Sequence, residues 1–403
     1  MILRGTVASA LLFFALVAGA QEPKWLTDAR AREAKAGSPR EFKSKDNWFK
    51  AKVPAKVVGP VEKVEESYSI EFDLGAETPT YCELVPDGFD MADMLRRTLD
   101  LTMEQVAQSQ GKVEARQLEF TDAGAIGNVP YLETHWLYRV NDGKEARLGQ
   151  FKQFVMVKGG HGLYCAHVDI GYVKTFDNLM RALAQTLEVS TPVPAPYYEE
   201  IAVATVGGMK AGVTMMTLER DADGDTKSEQ VTAMMMPAAG GELHTQDAVT
   251  KEWVRPDATL INAAHFIAEN GELNTSIGLK QEDDTWVIDG DLQGKKVNAQ
   301  LPADSTPGTW LAQALGIRQL LASENPVGAE HSIAMWVATD PSKLTDAKTK
   351  VLARKGKDFT GHSTTGALEA DVTLDKSGAL IIADMQVGPQ KVKIERVYVN
   401  GSF

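Results

Sequence analysis

From Ile201 onward, apolar and polar residues alternate in short runs cut by the turn pairs Asp223-Gly224, Asn270-Gly271, Asp289-Gly290 and Ser377-Gly378. Alternation at period two sends successive side chains to opposite faces of a strand, and a Gly after Asp, Asn or Ser supplies the positive φ of a tight hairpin. Such a chain folds as an antiparallel meander. One segment breaks the pattern: Thr306 as N-cap and Pro307 at the first helical position precede an apolar face of Trp310, Leu311, Ala314, Leu315, Ile317 and Leu321. These residues predict a helix. Residues 200–403 are therefore expected to form a curved antiparallel β-meander, a half-barrel with one helix, whose concave side is filled by that helix or by a ligand.

The preceding 57–190 read differently. Val64, Tyr68, Ile70 and Phe72 repeat at period two, as do Leu132, Trp136, Tyr138 and Val140. Further strands fit 81–85, 113–120, 148–158 and 163–171, with Lys158-Gly159-Gly160-His161 as a hairpin turn. A helix opening after Asp90 carries Met91, Leu95, Leu99, Met103 and Val106, and a second carries Phe176, Leu179, Met180, Leu183 and Leu187. The class is α+β: an N-terminal antiparallel sheet with two helices on one face, then the half-barrel. The prolines of Ser190-Thr191-Pro192-Val193-Pro194-Ala195-Pro196 mark 191–199 as a linker, and 403 residues exceed what one core organises.

The first 20 residues have the layout of a cleaved secretory signal peptide. Arg4 stands before an apolar run from Val7 to Val17, and Ala18-Gly19-Ala20 precedes Gln21. The protein is expected to be exported, to a bacterial periplasm or the extracellular space, and not to span a membrane after cleavage. Residues 21–56 carry ten Lys and Arg from Lys24 to Lys56 and are expected to be a basic, partly disordered leader. A net charge of -13 argues against nucleic acid as a partner. The two cysteines, Cys82 and Cys165, are expected to pair in an oxidising compartment, with a contribution of ~3–4 kcal/mol.

Candidate chemistry is sparse. A strand over 163–171 puts Cys165, His167 and Asp169 on one face, the residue types of a thiol hydrolase, but a disulfide would consume the nucleophile. His135, with Glu133 and Arg139 at alternate positions, extends a polar face read as solvated or interdomain. His265 and Glu269 have helical ligand spacing within a strand, which separates them. Asp221-Ala222-Asp223-Gly224-Asp225 starts like a calcium loop and then departs from it, so a hairpin tip is expected. No catalytic residue, metal ligand or cofactor is assigned. The unusual composition is six of 14 methionines between 209 and 236. Of these, Met215, Met234 and Met236 are the expected ligand-binding residues of an apolar groove, set against plain core packing and a cuprous-ion site.

The run Val206-Gly207-Gly208-Met209-Lys210-Ala211-Gly212-Val213 opening a meander, then hairpins to Val297, one helix and returning strands, resembles exported bacterial proteins with a LolA/LolB-like fold. That resemblance covers Ile201 to Phe403 and implies an unclosed barrel that carries acyl chains. The preceding domain is distantly similar to PsbP/Mog1-like sandwiches, also binding modules. Together they imply a non-enzymatic binding protein for a lipid-like ligand or an envelope component. The alternatives are an envelope assembly protein without a small ligand, and a hydrolase using Cys165 and His167.

Overall fold

The computed structural model describes residues 24–35, 37–85, 90–190 and 196–403. The expected signal peptide and Thr191–Ala195 of the linker lie outside the described residues. The chain divides into two compact units. The first draws on the described residues up to Thr121, on Tyr131–Val193 and on Met235–His244; the second draws on Asp122–Pro130, Pro194–Met234 and Thr245–Phe403.

The first unit contains β1 (Arg40–Lys43), β2 (Phe49–Val53), β3 (Lys56–Val64), β4 (Ser67–Asp73), β5 (Thr80–Val85), β6 (Lys112–Ile126) up to Thr121, β7 (Val129–Asn141) from Tyr131, β8 (Ala146–Lys158), β9 (His161–His167) and β10 (Glu188–Val189). Seven of them form one sheet in the order β3-β4-β5-β9-β8-β7-β6, and β1-β2-β10 form a second, small one. Its helices are α1 (Lys24–Arg30), α2 (Met91–Gln110) and α3 (Val173–Thr186). The two long helices lie on opposite faces of the seven-stranded sheet, contrary to the one-face expectation. Gln153 donates to the Leu95 carbonyl of α2 at 2.9 Å, whereas His167, on the other face, stacks against Phe176 of α3 at 6.3 Å. Residues 150–156 of β8 are accordingly buried on both faces, and a strand covered on both sides needs a layer on each. The described residues of the leader include α1, β1 and β2. Leu26 and Ala29 of α1 are buried, and Phe42 and Phe49 of β1 and β2 pack their rings against Phe72 and Tyr68.

The second unit holds β11 (Tyr198–Val206), β12 (Met209–Arg220), β13 (Thr226–Pro237) up to Met234, β14 (Leu243–Val254) from Thr245, β15 (Leu260–Glu269), β16 (Glu272–Glu282), β17 (Thr285–Leu292) and β18 (Lys295–Gln300). After the helix α4 (Trp310–Ala322) come β19 (Glu330–Trp336), β20 (Leu344–Lys355), β21 (Asp358–Thr365), β22 (Leu368–Leu374), β23 (Leu380–Val387) and β24 (Gln390–Gly401). All fourteen strands form one antiparallel sheet, β18 to β11 followed by β24 to β19, whose end strands do not pair. It is a half-barrel, as the alternation predicts.

Curvature follows from what α4 touches. Leu311 packs with Val254 of β14 and Met216 of β12, while Ile317 and Leu321 pack with Val351 of β20 and Phe359 of β21. Strands β14 and β20 stand eight places apart in the sheet order. A flat sheet would separate them by about 38 Å, whereas Leu311 and Leu321 are only about 15 Å apart along the helix. The sheet must wrap around α4, so the helix is the filler of the concave side. Its start is later than expected. Thr309, not Thr306, is the N-cap, its hydroxyl accepting from the Ala312 amide at 3.0 Å. The Gly308 amide donates to the Ala334 carbonyl of β19, which holds the preceding segment extended. Asp289-Gly290 is likewise no turn. Both residues lie inside β17, where Gly290 has φ +144 and a Cβ there would come within 2.1 Å of the Ser276 carbonyl oxygen. The glycine marks a close backbone approach within the sheet.

Candidate functional site

A buried polar cluster lies in the first unit, on the sheet face beneath α3. Register pairs His135 of β7 with Lys152 of β8, and Lys152 with His167 of β9, so three titratable side chains stand in one row. Thr80 of β5 extends it, its hydroxyl 3.1 Å from His167 Nδ1. Lys152 is wholly buried, with Nζ donating to the Asp169 carbonyl at 2.5 Å and to Gln150 Oε1 at 3.4 Å. Gln150 accepts from the Gly171 amide at 3.1 Å and donates to Glu119 Oε2 at 3.0 Å. The Asp169 carboxylate takes the Thr78 amide and hydroxyl at 2.8 and 2.9 Å and lies 3.6 Å from His167 Nε2. At the other end His135 Nε2 meets Glu133 at 2.7 Å, with the Phe120 ring 4.8 Å away.

Burial sets the protonation of this row. It draws the Lys152 ammonium down to about 8, against the opposing pull of Asp169, Glu33, Glu119 and Glu133. Burial also holds His167 down to about 4, assisted by the Lys152 charge and opposed by Asp169. At neutral pH the row therefore contains a charged lysine beside a neutral imidazole. Lys152 Nζ, His167 Nδ1 and His135 Nε2 each meet another protein group, whereas His167 Nε2 is buried without a hydrogen-bond partner, 3.6 Å from the Asp169 carboxylate.

The hydrolase alternative is overturned here. Cys165 Sγ is bonded to Cys82 Sγ across β5 and β9, with Cα atoms 4.1 Å apart, and a sulfur in a disulfide offers no thiolate. β9 ends at His167, so Asp169 sits in the following turn and not on the strand. The face read as solvated or interdomain is buried at Glu133 and His135, and only Arg139 is exposed, paired with Glu114 at 3.1 Å. Lys152 escaped the sequence reading. A lysine inside Gln150-Phe151-Lys152-Gln153-Phe154, in a strand otherwise apolar toward Met156, was the available signal.

The methionines of β12 and β13 divide between faces. Gly212 pairs with Met234 and Met215 pairs with Val231, so Met215 lies on the face opposite to Met234, whose alternation Met236 follows. Met215, Met234 and Met236 are half-buried; Met216 and Met235 are buried. The Met234 thioether lies over Gly212, where a Cβ would come within 2.5 Å of the sulfur. Under α4, the Trp310 amide donates to Glu252 at 3.0 Å, and burial pushes that carboxyl up to about 7. Arg396 bonds Asp375 at 2.7 Å, and Tyr198 donates to Glu200 at 2.5 Å. His265 faces Thr250 at 2.8 Å. Asp221 closes its own hairpin, accepting from the Asp223 and Asp225 amides at 3.0 Å each. Among the described residues no three His, Cys, Asp or Glu side chains are placed to hold a metal ion, and no helix is long and apolar enough to cross a membrane.

No protein-family model matches the sequence, and no curated protein matches it. Among solved structures, the chain is similar to a β-barrel-like protein of DUF1849 from Brucella abortus, at 12% identity and TM-score 0.37, over 52% of this chain and 98% of that one. A DUF1089 family protein from Pseudomonas aeruginosa matches at 14% identity and TM-score 0.25, over 42% of this chain and 87% of that one. A Bacteroides thetaiotaomicron protein matches at 13% identity and TM-score 0.23, over 41% of this chain and 53% of that one.

Proposed function

We propose that this chain is an exported, non-enzymatic binding protein for an apolar, lipid-like ligand, held on the inner face of the half-barrel. The observation that carries the reading is the wrapping of the fourteen-stranded sheet around α4. Packed apolar clusters cover the inner face on both sides of that helix, one around Leu260, Ile277, Leu279 and Ile288 and the other around Val351, Phe359, Val372 and Leu374, and half-buried side chains of β13 border them. An acyl chain laid on such a surface contributes ~0.8 kcal/mol per buried methylene and needs few directed polar groups. Met234, half-buried on that face within the second unit, is the adaptable lining we assign to the ligand. The signal-like leader and the Cys82–Cys165 bond support export.

Native mass spectrometry of protein purified from its export compartment tests this against the same sample under denaturing conditions. The expected result is an adduct of lipid mass that leaves on denaturation and is diminished by Met234→Asp in a folded variant. Bare protein in both spectra overturns the ligand and leaves the assembly role.

A further inference from the structure

The first unit is crossed by its own N-terminal segment in a manner that resembles a bound peptide. Helix α1 has seven residues, too short to stand alone in water. Its helicity is imposed by what it lies on. Only Leu26 and Ala29, three residues apart on one face, are buried, at 4% and 5% exposure, while Trp25, Thr27, Asp28 and Ala31–Glu33 are exposed. The remaining contacts are polar and each has a built receptor. Arg30 pairs with Glu119, whose second oxygen is fixed by Gln150 and through it by Lys152. The Arg32 carbonyl accepts from the Tyr172 amide at 2.7 Å. The Glu33 carboxylate accepts from the first-turn amides of α3, Lys174 at 3.0 Å and Thr175 at 2.8 Å, and from the Thr175 hydroxyl at 2.6 Å. The Ala34 amide returns a bond to that hydroxyl at 3.0 Å.

The receptor side is shaped for backbone approach. Gly171, at φ +90, lies directly under the segment, and a Cβ there would come within 2.3 Å of the Ala29 carbonyl oxygen. Charge is complementary at both ends: a carboxylate, Glu119, faces the segment's arginine, and the positive end of α3 faces its glutamate. Gly37-Ser38-Pro39 joins the segment to β1. A surface held by two apolar side chains and exposed polar bonds belongs to the low-stability end of a fold.

We propose that the groove floored by Gly171, between Glu119 of β6 and the N-terminus of α3, is a peptide-recognition site. It is filled here by the chain's own residues Leu26–Ala34. Its intermolecular partner is a polypeptide segment with the same side chains at the same spacing: an apolar residue, a small one three on, Arg next, and Glu three beyond the Arg. The tethered segment competes with that partner at an effective concentration on the order of millimolar, so the site opens only to a partner that exceeds this or when the segment is withdrawn. The inference is independent of the ligand proposed for the half-barrel.

The test uses a fluorescein-labelled peptide of residues 24–35 and the full chain, wild type and Leu26→Ala/Glu33→Ala, with binding followed by anisotropy. The expected result is saturable binding to the double variant, at least ten-fold tighter in apparent affinity than to wild type, and lost when the peptide itself carries Glu33→Ala. A double variant that retains its circular dichroism and disulfide but shows no saturable binding overturns the proposal. If the variant does not fold, hydrogen exchange on the wild type decides. Amides of residues 28–35 exchanging at least 100-fold faster than those of β7–β9 support a releasable segment, and equal protection overturns it.

Discussion

Replacing Lys152 with methionine removes a buried charge at nearly constant volume, and its effect depends on pH with a definite sign. The Lys152 ammonium is drawn from 10.5 down to about 8 by burial in the folded chain. A shift of that size corresponds to about 3 kcal/mol at 1.36 kcal/mol per unit. Between pH 8 and 10.5 the unfolded chain binds the proton and the folded chain does not, so stability rises with pH through this window. Below pH 8 both states are protonated and the full penalty is present. Lys152→Met removes the titration, so the variant lacks this rise, and at pH 7 its stability gains up to about 3 kcal/mol less the two hydrogen bonds to Asp169 and Gln150. The assay is urea unfolding at pH 7, 8, 9 and 10, read for peptides of β7–β9 by pulse hydrogen exchange, because a two-unit chain has no single unfolding transition. Wild type minus variant is the quantity that matters, since it cancels the tyrosines common to both. A difference that stays flat from pH 8 to 10, or runs the other way, refutes the burial argument.

On the acid side, His167 is held down to about 4 from 6.5, so the folded chain resists its protonation. Stability of the first unit should therefore fall as pH drops from 6.5 toward 4, and acid titration of His167→Gln should lose most of that fall. Reducing the Cys82–Cys165 bond should lower the urea midpoint of the first unit by the equivalent of ~3–4 kcal/mol, measured with and without a phosphine reductant. Gly290→Ala should destabilise the second unit by about 1–3 kcal/mol in a thermal melt, because a left-handed backbone and a Cβ at 2.1 Å from the Ser276 oxygen are both imposed.

The meander was legible because its alternation is local: hairpins such as Asn270-Gly271 and Ser377-Gly378 announce themselves without reference to anything distant. Asp289-Gly290 misled for the same reason, since that glycine answers a neighbouring strand's backbone and not a turn. The helix start at Thr309 depended on Gly308 pairing with β19, a contact outside any sequence window. The polar row was half legible. His135 and His167 fall on one polar sheet face from two strands, but a polar face covered by a helix reads in sequence like one that meets water. Glu33, ten residues into the described chain, gave no sign that it would seat on α3, because the receptor amides lie more than a hundred positions away.

The order of the half-barrel also constrains how the chain can be made. Strand β11 takes β12 on one side at once, but its other side is satisfied only by β24. During synthesis the first wing, β11 to β18, can form hairpin by hairpin while β11 presents an open edge. That edge persists until residues Gln390–Gly401 have left the ribosome. A nascent or prematurely terminated chain is thus a template for pairing with its neighbours, and a cell making this protein has reason to keep it from settling before its final strand arrives.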